Sequence, residues 1–398
     1  MKGADAKMTG MLRTLLVVLG VVLAACGESD APTPDGGASP PAPDAGVPQP
    51  DAGSPLDDAG TPEPDAGSPW ATVTAVLEAR VAEAGASVPG LGLAVYDAQD
   101  RKVYEHIVGD FAPDRRVAVA SASKMVSGTL LFELIRQGRL SLDSTTGQVL
   151  GWTGNKAGIT LRHLLSFTSG LQPSHLCTFQ SGITLADCVA SIAQTPQVAA
   201  PGARFDYGST HLQVAARMAE VSTGKTWNAL FTETLAQPLG LPSGVTYFTA
   251  PNHPLGTTNP LVAGGLRASM NEYAPLLALV FHRGTHPGGV IGTPELFDAQ
   301  AVEPFPGVVV GNSPAADMGL DLRYGLTAWL ECPTPAQGCA VISSPGAFGW
   351  TPWVDREAGY YAVLGMHLQR DDPGAGVVSF AMHLSTEVKP LIRAALAP

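Results

Sequence analysis

The chain has 398 residues, 45% of them apolar and only 15% charged, which is enough for a large buried core. Its net charge of −12 is concentrated near the start: residues 27–69 hold nine acids and no Lys or Arg, leaving residues 70–398 at about −5. A mildly acidic body without a basic cluster excludes a nucleic-acid-binding design.

Residues 1–26 read as an export signal. Lys7 and Arg13 precede an apolar run from Leu15 to Ala25, which is too short to span a bilayer. The run ends Leu23-Ala24-Ala25-Cys26, which resembles a bacterial lipoprotein box. That resemblance implies a lipid-modified Cys26 and a domain held to a membrane outside the cytoplasm. Residues 27–69 are Pro, Asp, Ala, Gly and Ser, with Asp-Ala-Gly recurring at Asp44, Asp51, Asp58 and Asp65. Such a composition cannot bury a core, so it is expected to be a disordered spacer. The folded domain is expected over 70–398.

Val73, Val76, Leu77 and Val81 stand at helical spacing, which predicts a first helix over 71–85. Residues 90–96 and 102–109 read as two strands joined at Asp97-Ala98-Gln99-Asp100. Then comes Val117-Ala118-Val119-Ala120-Ser121-Ala122-Ser123-Lys124, running into the apolar helix that carries Leu130, Leu131, Leu134 and Ile135. With Ser121 in the first turn, Lys124 at i+3 shares its face. A serine hydroxyl is a poor nucleophile until a neighbouring base takes its proton, and a lysine buried beside an apolar helix has a lowered pKa suited to that task. The helix N-terminus adds partial positive charge where an oxyanion would form. Ser121 is therefore the candidate nucleophile. Ser222 and Lys225 repeat the spacing, but at the end of a helix that Gly224 closes, and carry no role.

Thr160 is expected to cap a short helix closed by Gly170, with His163 as a structural partner inside it. Removing Cys26 leaves Cys177, Cys188, Cys332 and Cys339. An oxidising compartment pairs Cys177 with Cys188 and Cys332 with Cys339, and no Cys-x-x-Cys spacing points to a metal. Tyr207 precedes a helix that runs through Leu212, Ala216 and Ala219, and could pass protons between lysine and serine. A second helix holds Trp227, Phe231 and Leu235, and Ala263-Gly264-Gly265-Leu266 is expected to open another that reaches Phe281. Residues 284–318 predict little. Residues 324–330, 340–343 and 360–368 alternate like strands, and a final helix carries Val377, Val378, Ala381, Leu384, Val388, Leu391 and Ile392. The fold class is α+β, with one antiparallel sheet built from both chain ends, flanked by helices, around a mainly helical insertion.

Ser121-Ala122-Ser123-Lys124, Ile159 to Leu171, Tyr207-Gly208-Ser209, Ala263 to Leu266 and Ser344-Pro345-Gly346, in this order and at these separations, resemble the penicillin-recognising serine hydrolases: class C β-lactamases, D-Ala-D-Ala peptidases and related esterases. The resemblance implies a β-lactamase/transpeptidase-like fold, an acyl-enzyme on Ser121, Lys124 as its partner and Tyr207 as general base. It implies an oxyanion hole from the backbone N–H groups of Ser121 and Ala347, and places Ser209, Ser344 and Gly346 against the substrate. It implies no cofactor and a small-molecule or peptide substrate. Ser209 stands where the family commonly has Asn, and Ser344 where it has the Lys or His that meets a substrate carboxylate. Arg323 and Arg356 are the cations that could stand in for it. The leading expectation is an exported serine hydrolase acting on an ester, amide or β-lactam. The alternative is a surface-tethered module of the same fold that binds peptidoglycan or peptide without turnover. No Gly-x-Ser-x-Gly elbow and no His-Glu-x-x-His occurs, which sets aside two other hydrolase plans.

Overall fold

The structure, a computed structural model, describes residues 67–249, 257–366 and 375–397. The expected signal segment, Cys26 and the spacer up to residue 66 lie outside the described residues.

The described chain opens with α1 (Ala71–Ala84), then the hairpin of β1 (Gly90–Asp97) and β2 (Lys102–Gly109). The Asp97 carboxylate accepts from the Gln99 and Arg101 N–H groups and fixes the turn. β3 (Val117–Ala118) runs into a 3-10 turn, Ala120–Ala122, and then α2 (Ser123–Arg136). α2 is buried on every side from Ser123 to Leu134, and its buried polar side chains, Ser123, Lys124, Ser127, Thr129 and Glu133, are each hydrogen-bonded. α3 (Thr146–Leu150) and α4 (Leu161–Leu165) each start on a threonine capping box. α4 stops five residues before Gly170: Phe167 turns left-handed at φ 56°, and Gly170 belongs to the loop beyond. α5 (Leu185–Gln194), β4 (Arg204–Phe205), α6 (Thr210–Thr223) and α7 (Trp227–Phe231) follow, and Gly224 caps α6 at φ 74° as expected.

After β5 (Thr246–Tyr247) the expectation fails at Ala263-Gly264-Gly265-Leu266. These residues lead into a strand, β6 (Leu266–Ala268), and the helix α8 (Met270–Phe281) starts only after Ser269. A Cβ on Gly265 would lie 2.0 Å from the Phe248 carbonyl oxygen, so the glycine permits a close strand approach rather than a helix start. The stretch 284–318 holds β7 (Thr285–His286), β8 (Gly289–Val290), α9 (Pro294–Gln300), β9 (Val309–Val310) and α10 (Pro314–Asp317).

The chain closes with β10 (Arg323–Tyr324), β11 (Trp329–Leu330), β12 (Val341–Ser343), β13 (Thr351–Asp355), β14 (Tyr360–Met366) and α11 (Ala375–Leu396). The expected strand 324–330 is split, because Thr327 turns left-handed at φ 66°. β13 is a strand the alternation did not reveal, since its Pro352 and its glycine-rich lead-in read as loop. The main sheet has seven strands in the order β10-β11-β12-β13-β14-β1-β2, all antiparallel, with the first strand of the chain registered on the last. β1 is buried on both faces. Leu91, Leu93 and Val95 face α1 and α11, while Ala94 and Tyr96 face the larger core around α2. The disulfides Cys177–Cys188 and Cys332–Cys339 are formed, as expected from their spacing.

Leu77 of α1 is fully buried in the smaller core, with Ala381, Leu384 and Val388 of α11. Leu77→Ala is expected to lower unfolding free energy by ~2–5 kcal/mol in urea titrations. A loss below about 0.5 kcal/mol would mean that α1 does not close this face.

Candidate active site

Ser121 and Lys124 meet because the chain turns sharply between β3 and α2. Ala120, immediately before Ser121, is held left-handed at φ 47°. Such a conformation costs energy for a residue with a Cβ and persists only where neighbours impose it. The neighbours are identifiable. The Ser123 hydroxyl donates to the Ala120 carbonyl at 2.6 Å and accepts from the Leu266 N–H at 3.1 Å. Tyr273 donates to the Ala122 carbonyl and Tyr247 to the Ser123 carbonyl. Ser127, one turn into α2, bonds both the Tyr247 phenol and the Val262 carbonyl at 2.8 Å.

Lys124 Nζ donates to Ser121 Oγ at 2.7 Å and to the Ala263 carbonyl at 2.9 Å, and lies 4.6 Å from the centre of the Tyr207 ring. The side chain is buried, and among the described residues no carboxylate pairs with it. Desolvation brings the amine down to about 7. Ser121 itself is half-buried.

Tyr207 enters from the loop before α6. Its N–H donates to the Asn312 carbonyl at 2.8 Å, and Asn312 Nδ2 donates back to the Tyr207 carbonyl at 2.6 Å. Gly208 presses against Pro173, where a Cβ would lie 1.8 Å from the carbonyl oxygen, so only glycine lets this loop come so close. The Tyr207 ring stacks on Trp329 at 5.2 Å and meets Phe167 edge-on. Burial raises its pKa well above that of an ordinary phenol, although hydrogen bonding to Ser121 and Trp329 pulls the other way. The phenol therefore keeps its proton at neutral pH, while the lysine beside it exchanges its proton near pH 7.

Gly346 sits at the corner between β12 and β13, where a Cβ would lie 2.3 Å from the Val119 carbonyl oxygen. This contact seats the corner against the two residues before Ser121; the next residue, Ala347, is exposed, and among the described residues its N–H makes no hydrogen bond. Ser344 is buried. Its hydroxyl donates to the backbone carbonyl of Ser121 at 3.0 Å. The Ser209 hydroxyl is directed at Thr178, beside the Cys177–Cys188 bridge, at 3.4 Å. His163 closes the capping box of α4 and stacks on Phe305. Arg356 donates to the Val280 and Phe281 carbonyls, and Arg323 lies in the field of the buried Glu303, so neither arginine stands in for the missing cation beside Ser121.

Three contributors escaped sequence reasoning. The Ala263 carbonyl and the Trp329 ring come from segments far from Ser121 in sequence. His211 is fully buried, accepting from Ser169 Oγ through Nδ1 and donating through Nε2 to the Asp206 carbonyl, both at 2.8 Å. Burial brings it down to about 4, and Lys124 pushes the same way. It stacks on Phe167, the ring that Tyr207 meets edge-on, and because Tyr207 lies in the loop ahead of α6 no sequence spacing linked the two.

A family model described as Beta-lactamase matches residues 77–384. The chain belongs to the β-lactamase family. Penicillin-binding protein 4 of Amycolatopsis lactamdurans is 32% identical over 173 residues, which cover 40% of this chain and 45% of that protein, so the match spans less than half of the relative's length. The structure of a putative β-lactamase from Bacteroides dorei superimposes with a TM-score of 0.70 at 30% identity, covering 81% of this chain and 98% of that one. EstCE1, described as a hydrolase with promiscuous acyltransferase activity, shares the fold with a TM-score of 0.61 at 18% identity, over 78% of this chain and 97% of its own. Within this β-lactamase-family fold, Lys124, Tyr207 and Ser344 contact Ser121 and the Ala263 carbonyl holds Lys124, whereas Ser209 is turned to Thr178.

The buried Lys124 amine also makes stability pH-dependent. The unfolded chain holds this proton up to about 10.5 and the folded protein only up to about 7. Between those values the unfolded state binds more protons, so stability rises with pH across that window, at a slope approaching about 1.4 kcal/mol per pH unit. Urea midpoints measured at about pH 7.5 and about pH 9 should separate in the wild type and converge in Lys124→Met. Equal separation in both proteins refutes the lowered lysine.

Proposed function

We propose that the protein is an exported serine hydrolase that cleaves an ester, amide or β-lactam bond through an acyl-enzyme on Ser121. The observation that carries this reading is the 2.7 Å contact between Ser121 Oγ and a lysine amine that burial holds near neutrality in pKa. Once deprotonated, Lys124 Nζ accepts the Ser121 proton as Oγ attacks the acyl carbonyl. The N–H groups of Ser121 and Ala347 receive the oxyanion. The Tyr207 phenol, still protonated, donates to the leaving group and is reprotonated from Lys124. Water then deacylates Ser121 by the reverse relay. The resemblance assigned the base to Tyr207. The opposite shifts of phenol and amine favour Lys124 in that role and Tyr207 as proton donor.

Export rests on residues 1–26 as a lipoprotein signal, Cys26 as the lipidated residue and 27–69 as the spacer that holds the domain away from the membrane. The two disulfides support an oxidising compartment.

A fluorophosphonate probe should add one adduct, mapping to Ser121 and absent in Ser121→Ala. Tyr207→Phe should slow turnover by ~10²–10⁴. An adduct elsewhere, or an unslowed Tyr207→Phe, rejects the assignment. Because the single Ser344 hydroxyl is already committed to the Ser121 carbonyl, it is not available to a β-lactam carboxylate. A neutral nitrophenyl ester is therefore expected to exceed a chromogenic cephalosporin in kcat/KM by about tenfold or more, the difference between a charge-assisted contact and none. Faster cephalosporin turnover in the wild type sinks this ranking.

A further inference from the structure

Arg267 lies at the centre of β6, and its cross-strand neighbours are Ala118 of β3 and Thr246 of β5. Opposite charges across a strand pair are the ordinary stabilising partners of an arginine, and neither neighbour offers one. Arg116, just ahead of β3, is by contrast forked onto Glu272. Arg267 Nε is buried and makes no hydrogen bond among the described residues, and the guanidinium lies 5.0 Å over the Phe248 ring. Burial lowers its pKa. A half-buried cation resting over an aromatic ring, with no acidic partner among the described residues, is suited to meet an anion.

Its direction ties it to the reacting serine. Val119, Leu266, Ala268 and Tyr247 are buried, whereas Ala118, Arg267 and Thr246 alternate onto the opposite, half-exposed face of the same three strands. Phe248 is paired with Gly265, its N–H donating to the Gly265 carbonyl at 2.8 Å. A guanidinium over Phe248 therefore leans back along β6 from residue 267 towards residue 265. That is the direction of Ala263, whose carbonyl holds Lys124, and of the half-exposed Gly264, whose Cβ position is 3.8 Å from the carbonyl carbon of Ala120. Ala118, the partner of Arg267 on β3, lies three residues before Ser121 in the chain.

We propose that Arg267 determines specificity on the acyl side of the cleft, and that the preferred substrate carries a carboxylate at the far end of a short acyl chain: a half-ester or half-amide of a dicarboxylic acid. The inference rests on the Ser121 acyl-enzyme reading. The carboxylate accepts a forked pair of hydrogen bonds from Arg267 while the acyl carbonyl lies at Ser121. This is a different position from the one Ser344 occupies, so a preference for esters over β-lactams and a preference for an anionic acyl chain are compatible.

The test compares nitrophenyl hemiglutarate with nitrophenyl hexanoate, whose acyl chains are similar in length and differ in charge. The wild type should favour the hemiglutarate by about tenfold in kcat/KM. Arg267→Gln should abolish the preference through KM, and Arg267→Lys should keep part of it. Glutarate binding, followed by calorimetry, supplies a readout independent of turnover: it should be measurable in the wild type and lost in Arg267→Gln. A charge-blind wild type, the same ratio in Arg267→Gln, or glutarate binding that ignores the substitution each overturns the proposal. Fluorophosphonate labelling of Ser121 keeps the two readings apart. Normal labelling with charge-blind turnover rejects Arg267 alone, whereas absent labelling with Arg267-dependent glutarate binding rejects the acyl-enzyme and leaves the anion site standing.

Discussion

The site depends on keeping one amine out of water. Lys124 is buried with three contacts: the Ser121 hydroxyl, the Ala263 carbonyl and the face of the Tyr207 ring. None of them carries a negative charge, and this decides the chemistry. A carboxylate at the same distance would hold the lysine charged and useless as a base, whereas neutral acceptors and an aromatic face leave desolvation as the dominant influence. The same burial acts in the opposite sense on Tyr207 and confines the proton to the phenol. One dry environment thus shifts the two groups in opposite senses, as the proposed roles of proton acceptor and proton donor require.

Holding that arrangement falls to groups that touch no substrate. The left-handed Ala120 is fastened by Ser123, which reaches both the Ala120 carbonyl and the Leu266 N–H. The Tyr247 and Tyr273 phenols occupy carbonyls at the start of α2, and Ser127 joins Tyr247 to Val262. These are buried polar contacts with partners on both sides, which makes their geometry rigid. Two glycines provide the close approaches: Gly208 lets the Tyr207 loop rest on Pro173, and Gly346 lets the corner after β12 rest on Val119. The larger core supports α2 from one side, and the smaller core under α1 and α11 supports the sheet from the other.

The cleft is short of fixed positive charge beside Ser121. Ser344 is neutral and bonded inward, and Arg356 is bound to carbonyls at the end of α8. Cationic character lies instead along β6, where Arg267 rests on Phe248. Charge placement, more than the reacting groups themselves, distinguishes substrates in such a cleft, because an anion met by a fork and an anion met by a backbone differ in binding strength while sharing the same acyl chemistry.

Much of this was legible before the fold. The spacing of Ser121 and Lys124 on a helix start, the lone Tyr207 before α6, the paired cysteines and the strands at both chain ends depend on local periodicity and on composition, which the sequence by itself determines. The apolar surroundings of Lys124 in α2 already implied a lowered pKa. Other features depended on partners distant in sequence, which local patterns do not encode. Ala263-Gly264-Gly265-Leu266 reads as a helix start in isolation and leads instead into the strand β6, because β3 and β5 lie on either side. β13 carries a proline, and its pairing with β12 and β14 outweighs that local signal. The inward bond of Ser344, the stacking of Trp329 on Tyr207 and the solitary position of Arg267 arise from contacts across the sheet and the cleft. Hydrogen bonds and burial between residues far apart in the chain exist only once the backbone has brought them together, so those features were decided by the tertiary structure alone.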